Sequence, residues 1–468
     1  MPYPVVEEGA QRLSRNQVGV CVDFGSTFTK ASLVDLRAGR IVARAEHPTT
    51  IDTDLLDGYD ACLAELTRTD ARAADAEVFA CSSAGGGLRI AVVGNEELVT
   101  AEAGRRVALS SGGRVVSVQA VAGGVALQEL GDPDVVLLTG GTDGGNAEVV
   151  TSAARELVAG GWTGPVVVAG NIDARAEVSV ALAGVPHVLA DNVMPRIGEL
   201  APESARAAIR EMFLAHVIGG KHLSARADFT AMVRGATPDV VLTGVEVLAG
   251  AAGDVVVVDV GGATTDVHSV VRLDPALRDG SSLASSGTGR ELSREVVATT
   301  PVTRTVEGDL GMRWSAVATA AAADLDDLRE AAARRTADPG LVPTTDEEHE
   351  EDERLARAAA GLALRRHAGR SRVVVSPEGR VVERSGRDLR EVRLLVGSGG
   401  VLRHGRPGIA ERVLGASTGV DVEGGWQLPE NPAVVLDVDY VLAAVGLLAE
   451  EHPHAAYGLA LTLLDPGA

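Results

Sequence analysis

A short apolar run that ends in Asp-x-Gly and turns straight back into a second apolar run occurs twice in this 468-residue chain. The first copy reads Val18-Gly-Val-Cys-Val22, then Asp23-Phe-Gly-Ser-Thr27, then Ala31-Ser-Leu-Val34. The second reads Asp254-Val-Val-Val-Val-Asp259, then Val-Gly-Gly-Ala-Thr-Thr-Asp266, then Val267-His-Ser-Val-Val271. Each is a strand, a glycine turn and a returning strand, because short apolar runs bounded by Gly, Asp and Ser have strand length. Asp23 and Asp259 stand 236 positions apart. The repetition predicts a duplicated architecture with one such hairpin in each half.

Between the copies, Val135-Val-Leu-Leu138 precedes Thr139-Gly-Gly-Thr-Asp-Gly-Gly-Asn146, and Val166-Val-Val168 precedes Ala-Gly-Asn171. Helical stretches such as 147–158 separate these runs, so the region reads as α/β with parallel strands. Residues 318–370 are rich in Ala, Asp, Glu and Arg, with an acidic cluster at 346–353. They read as a pair of exposed helices joined by a loop containing Pro339 and Pro343, a solvated surface without chemistry. Arg372-Val-Val-Val375 and Gly379-Arg-Val-Val-Glu383 form a hairpin with Pro377 and Glu378 in its turn. Val392-Arg-Leu-Leu-Val396 runs into Gly397-Ser-Gly-Gly400 and a helix. Residues 439–449 have a helical apolar face suited to packing beside that glycine turn.

Composition narrows the function classes. Lys and Arg number 43 against 65 Asp and Glu, a net charge of −22. Nucleic-acid wrapping needs a basic footprint that releases counterions, and an anionic membrane surface needs the same sign, so neither is expected as a partner. Aromatics are 3%, too few for base-stacking platforms. Cys21, Cys62 and Cys81 are scattered singles, which argues against disulfide frameworks, zinc ribbons and iron–sulfur cradles within one chain. The first 17 residues carry Glu7 and Glu8 and no apolar core of a signal peptide, and no apolar run is long enough to span a bilayer. A reduced, cytoplasmic protein is expected.

The turns carry the chemistry. A strand ending in Asp, followed by Gly and two hydroxyl residues, gathers backbone N–H groups at an exposed bend, a nest for phosphate oxygens. Gly25 lets a ligand approach the backbone without a Cβ clash. Asp23 faces the accompanying metal through water, since magnesium keeps much of its hydration. Ser26 and Thr27 add hydroxyl donors. The bend at Gly261 and Gly262 repeats the arrangement, and two such nests across a cleft would hold β- and γ-phosphates from both sides. Gly397-Ser-Gly-Gly400 offers a flat surface for a purine and ribose, or is an ordinary packing turn. The loop 139–146 is either a further phosphate-facing loop, with Asp143 near the metal, or a turn in which Asp143 or Asn146 caps the next helix. Lys30, on the returning strand, reaches phosphate or points to solvent. Lys221 and His222 read as a helix-end pair rather than a catalytic couple.

Taken in order, Asp-x-Gly-Ser-Thr, Asp-x-Gly-Gly-x-Thr-Thr-Asp and Val-Gly-Ser-Gly-Gly resemble the phosphate-1, phosphate-2 and adenosine segments of the actin/Hsp70/sugar-kinase ATPase superfamily. The resemblance implies an α/β fold of two RNase-H-like domains with a nucleotide cleft between them and an inserted α/β region. It places the first domain, with the insert, at 1–240 and the second, with the exposed helices and adenosine motif, at 241–468. It implies ATP and Mg²⁺ as cofactors. Asp23 and Asp259 would position metal and attacking water, with Asp266 completing the metal-facing carboxylates. Thr264 would sit by the γ-phosphate. Gly25, Ser26, Thr27, Lys30, Gly261, Gly262 and Thr265 would contact nucleotide phosphate, and Gly397, Ser398, Gly399 and Gly400 would back the adenosine.

A closer resemblance covers residues 18–450. Ser82-Ser-Ala-Gly-Gly-Gly-Leu-Arg89, Leu137-Leu-Thr-Gly-Gly-Thr-Asp-Gly-Gly-Asn146, Ala190-Asp-Asn-Val-Met-Pro195, Val258-Asp-Val-Gly-Gly-Ala-Thr-Thr-Asp266 and Glu307-Gly-Asp-Leu-Gly-Met312 are similar to the glutamate-mutase-associated L protein (MutL/GlmL) family, unrelated to the mismatch-repair protein of similar name. That resemblance implies an ATP-dependent reactivating chaperone whose partners are the subunits of an adenosylcobalamin-dependent mutase or aminomutase. No Asp-x-His-x-x-Gly cobalamin motif occurs, so the chain is expected to handle the mutase rather than the corrin. The rival expectations are a small-molecule kinase, a dehydratase-activator-like ATPase with an iron–sulfur cluster, and a scaffold that binds nucleotide without hydrolysing it.

Overall fold

The computed structural model describes residues 18–121, 124–220, 223–226, 228–272, 285–286, 289–293, 300–376, 379–421 and 424–464. The N-terminal 17 residues, the Lys221–His222 pair and the Pro377–Glu378 turn lie outside them.

Strands β1 (Val18–Phe24), β2 (Phe28–Asp35) and β3 (Arg40–Pro48) form a meander, and β4 (Glu77–Ser82) returns parallel to β1. An α/β region follows with β5 (Leu88–Gly94), β6 (Gly113–Ala120), β7 (Val135–Leu138), β8 (Val166–Val168) and β9 (His187–Leu189), after which β10 (Val233–Ala236) pairs with β4. The first sheet therefore has the order β10-β4-β1-β2-β3. The second half begins with β11 (Val255–Val260) and β12 (Thr265–Val270). Next come the short β13 (Ser285–Ser286) and β14 (Gly289–Ser293), then β15 (Val302–Glu307), β16 (Arg370–Ser376), β17 (Gly379–Ser385), β18 (Leu394–Ser398) and β19 (Ala433–Leu436). Its main sheet has the order β15-β12-β11-β18-β19. In both sheets three antiparallel strands lead, and the strands beyond the first are parallel. The order is 3-2-1-4-5 each time, so the RNase-H-like sheet is built twice.

The central strands are apolar along their whole length because both faces of each sheet are covered. All seven residues of β1 are buried, as are Val255 to Val258 of β11. The inserted sheet, β6-β5-β7-β8-β9, runs parallel from β5 through β9. Its core joins Val136, Leu138, Val166 and Val168 to Val150, Ala153 and Leu157 of the helix Glu148–Ala159.

The described residues divide into two compact units. One draws on the described residues within 1–88, 213–247 and 441–468, the other on those within 89–212 and 248–440. The helix Thr237–Ala252 contains both the boundary expected at 240/241 and the division between the units after Val247. The insert groups with the second hairpin, and the C-terminal helices group with the first. The helix Val441–Leu448 packs closely on Thr237–Ala252. A Cβ on Gly244 would collide with the Leu442 carbonyl, and one on Gly446 with the Val240 carbonyl. Only glycine lets the two backbones approach so closely.

Residues 318–370 also differ from the expected solvated pair. Three helices cover this region, Ala316–Ala322, Arg329–Ala337 and Asp346–His367. The last is a core element: Leu355, Ala356, Ala359, Ala360, Ala363 and Leu364 are buried against the valines of β11 and β12. Small residues at helical spacing let it lie close to the sheet. Of its acidic cluster, Asp352 and Glu353 are buried, and burying a carboxylate requires a paired cation. Arg335, wholly buried, and Arg313 hold Asp352, while Arg412 and Arg406 hold Glu353 and keep its carboxyl down at about 2.

Candidate functional site

In the first unit, β1 delivers Asp23 to its C-terminal end, 8% exposed. Asp23 Oδ1 accepts from the Thr237 hydroxyl at 2.7 Å and from the Cys81 thiol at 3.7 Å. Lys30, directly opposite in the β1–β2 register, brings its ammonium within 4.0 Å of Oδ2. The turn closes with Gly25 N–H donating to the Phe28 carbonyl at 3.1 Å, and a Cβ on Gly25 would sit 2.6 Å from that oxygen. Ser26 and Thr27 are exposed at the tip. Thr49 holds the bend from behind, its hydroxyl donating to the Gly25 carbonyl at 2.8 Å and its N–H to the Thr27 carbonyl at 2.9 Å.

The second unit builds the same bend. Gly261 N–H donates to the Thr264 carbonyl at 2.9 Å, and a Cβ on Gly261 would again meet that carbonyl. Register equates Phe24↔Thr29 with Val260↔Thr265, and Asp23↔Lys30 with Asp259↔Asp266. The first bend thus opposes a carboxylate to a cation, and the second opposes carboxylate to carboxylate. Like charges directly opposite are destabilising, and the second unit offsets them with a buried guanidinium: Arg304 Nη2 donates to Asp266 Oδ2 at 3.0 Å. Thr264 is half-buried. Thr265, expected to contact phosphate, is fully buried in the sheet, and its hydroxyl has no hydrogen-bond partner among the described residues.

The third motif adjoins the second. Asp259 pairs in register with Ser398 of β18, so Asp266, Asp259 and Ser398 lie in one row across three strands. Gly399 takes φ +105°, and a Cβ there would collide with the Val260 carbonyl; β18 turns hard against the end of β11. Gly397 is packed between Leu402, Leu414 and Leu436, whereas Gly400 faces open space. Ser398 is buried.

One element the motifs did not announce is a strap across the second bend. Met312 N–H donates to the Gly261 carbonyl at 2.9 Å, Arg313 N–H to Gly262 at 2.7 Å, and the Ser315 hydroxyl to Ala263 at 2.6 Å. Gly311 is obligatory there, because a Cβ would lie 2.7 Å from Gly262 and Ala263 backbone atoms. Arg366 grips Glu307 and Asp309 at the start of the strap, and Asp352 holds Arg313 at its end. The run Glu307-Gly-Asp-Leu-Gly-Met312 was the available signal, without any hint of what it touches.

The loop 139–146 is knit into its own unit. Asp143 Oδ1 accepts from Asn192 at 2.8 Å and from Ile172 N–H at 3.2 Å, and Asn146 Oδ1 accepts from Glu148 N–H at 3.0 Å as a helix cap. Cys21, Cys62 and Cys81 are free and buried.

Among the described residues no group of three or more His, Cys, Asp or Glu side chains is placed to hold a metal ion. The hard carboxylate oxygens of Asp23 and of the Asp259–Asp266 pair do suit Mg²⁺, which takes few protein ligands and keeps several waters. No described helix is long and apolar enough to cross a membrane.

Behind the second bend, His367 bridges Thr305 at 3.0 Å and Ser269 at 2.8 Å, and burial, with Arg387 nearby, pushes its pKa down to about 3. His268 is shifted the same way by burial and Arg304. An unfolded chain protonates its histidines near 6.5, so this stability is whole above that pH and is lost as pH falls toward 3. Between pH 7 and 5, His367 alone removes about 2 kcal/mol, by the same linkage. Denaturant titration at both pH values checks this: wild type loses stability, and His367→Gln loses measurably less.

The family model described as MutL protein matches residues 19–463. Protein MutL of Clostridium tetanomorphum is 36% identical over 460 residues, covering 93% of this chain and 96% of that one. The chain belongs to the MutL family. Among solved structures, acetone carboxylase in its nucleotide-free form is similar with a TM-score of 0.32 and 17% identity, over 64% of this chain and 48% of that one, about half its length. The ethanolamine utilization protein EutJ of Carboxydothermus hydrogenoformans is similar with a TM-score of 0.28 and 12% identity, over 98% and 90%.

Proposed function

We propose that this MutL-family chain hydrolyses Mg-ATP, using its two glycine bends as phosphate nests, and serves as a reactivating accessory protein of an adenosylcobalamin-dependent mutase of the glutamate mutase or aminomutase type. The observation that carries the reading is the bend itself, formed twice with one register and one glycine-to-carbonyl closure at the end of the first strand of a 3-2-1-4-5 sheet.

Each residue has a task in this reading. Backbone N–H groups at Ser26, Thr27, Gly262 and Ala263 face phosphate oxygens. Asp23 and Asp259 orient the attacking water and, with Asp266, the metal's hydration shell. Magnesium, when bound, supplies charge neutralisation at the transferred phosphoryl group. The Thr264 hydroxyl donates to a γ-phosphate oxygen, and Gly397 to Gly400 back the adenosine. Lys30, its ammonium 4.0 Å from Asp23, adds positive charge beside the nest. Coupling to the mutase works through differential affinity of the partner for the nucleotide-bound and nucleotide-free chain. The protein acts in the reduced cytoplasm, where buried single thiols stay free.

Two measurements test this. Trp314 is 61% exposed and its ring lies beside Gly262, so Mg-ATP should change the tryptophan emission, and Trp314→Phe should remove the change. The purified chain with Mg-ATP should restore turnover to a mutase inactivated by loss of its adenosyl group, and should fail with a non-hydrolysable analogue. A mutase that neither binds nor recovers in either nucleotide state defeats the partner assignment.

A further inference from the structure

No motif marks Arg304, yet it is among the most buried charges of the second unit, 4% exposed on β15 opposite His268. A buried guanidinium is costly unless paired and hydrogen-bonded. Its Nη2 donates to Asp266 Oδ2 at 3.0 Å. Its Nη1 donates to the carbonyls of Leu109 at 3.2 Å and Gly113 at 3.3 Å. Those two carbonyls flank the turn between the helix Glu102–Ser110 and β6 in the inserted α/β region, where the helix C-terminus favours a cation. One planar fork thus spans a carboxylate of the second bend and a backbone turn of the insert, roughly 190 residues earlier in the chain.

Asp266 is thereby half committed. Oδ2 is fixed by Arg304, while Oδ1 is buried without a hydrogen-bond partner among the described residues, and the whole side chain stands opposite Asp259. We propose that Arg304 is a positioning residue: it sets the orientation of Asp266 beside Asp259 and ties it to the turn at 109–113, so that nucleotide state at the bend and conformation of the insert bias each other. The inference rests on the phosphate-binding reading of the bend. Reciprocity is thermodynamic: whatever stabilises one arrangement of the turn must alter affinity at the bend by the same factor. Lysine at this position keeps the charge but reaches only one of the three acceptors.

Amide hydrogen exchange across residues 104–116, with and without Mg-ATP, is the direct test, with nucleotide affinity measured by calorimetry on the same full-length protein. Mg-ATP should slow exchange at the turn in wild type. In Arg304→Lys that response should vanish, and affinity for Mg-ATP should fall about fivefold or more, the lower end of ordinary coupling, while affinity for metal-free ATP changes little. A purely structural ion pair would weaken both forms of the nucleotide equally and leave the exchange response in place, which overturns the inference. Binding by wild type without any response at the turn also overturns it, and this arm needs no variant if Arg304→Lys fails to fold. Absence of nucleotide binding in wild type defeats the parent reading and the inference together.

Discussion

Asp259→Ala should lower the rate of Mg-ATP hydrolysis by about 10²–10⁴-fold, the range for loss of a positioned group acting on proton and charge in the transition state. The carboxylate stands at the end of β11 in one row with Asp266 and Ser398, half-buried, so its removal opens no cavity in the core. Asp23→Ala should have a comparable effect, because its carboxylate is held by Thr237 and flanked by Lys30 at the matching position of the first bend. Phosphate release, measured beside far-ultraviolet dichroism and an unfolding midpoint, separates lost catalysis from lost fold. If both variants hydrolyse at the wild-type rate, the assignment of the bends is wrong.

The second large effect separates two neighbouring glycines. Gly399→Ala forces a side chain onto φ +105° and drives it into the Val260 carbonyl, immediately before the second bend. Backbone strain of this kind costs about 1–3 kcal/mol, and the collision adds to it, so this variant should unfold several degrees earlier and lose nucleotide binding with its fold. Gly400→Ala meets open space at the start of the helix Gly400–Arg403, where alanine is the better helix former by up to about 1 kcal/mol. It should be as stable as wild type or slightly more so, yet bind ATP more weakly, because the added methyl occupies the surface proposed for the adenosine. Thermal unfolding and calorimetric titration of both variants check the contrast. Equal ATP affinity in Gly400→Ala and wild type would remove the third motif from the site.

Much of the scaffold is legible from residue order. The hairpins could be read because their information is local: a strand-length apolar run, then a glycine at the one position where a Cβ would strike the carbonyl three residues on. The register that equates Lys30 with Asp266 follows once the two bends are aligned. The helix cap at Asn146 is equally local, a side-chain oxygen two residues from the N–H it accepts.

Charge was the part that residue order left open. The cluster at 346–353 has the composition of a solvated face, but Asp352 and Glu353 are buried against arginines that lie 17 to 59 positions away. Likewise Arg304, the strap over Gly261 to Ala263, and the burial of Thr265 emerge only when β15 is laid beside β12 and the segment after it crosses the bend. Grouping of the C-terminal helices with the first sheet depends on glycine contacts between Thr237–Ala252 and Val441–Leu448, two segments that are remote in the chain. The physical reason is common to all of these. Strand period and glycine sterics act within a few residues and are written in the chain itself, whereas the worth of a charge or a hydroxyl depends on its dielectric surroundings and its partner, and both exist only after distant segments have packed.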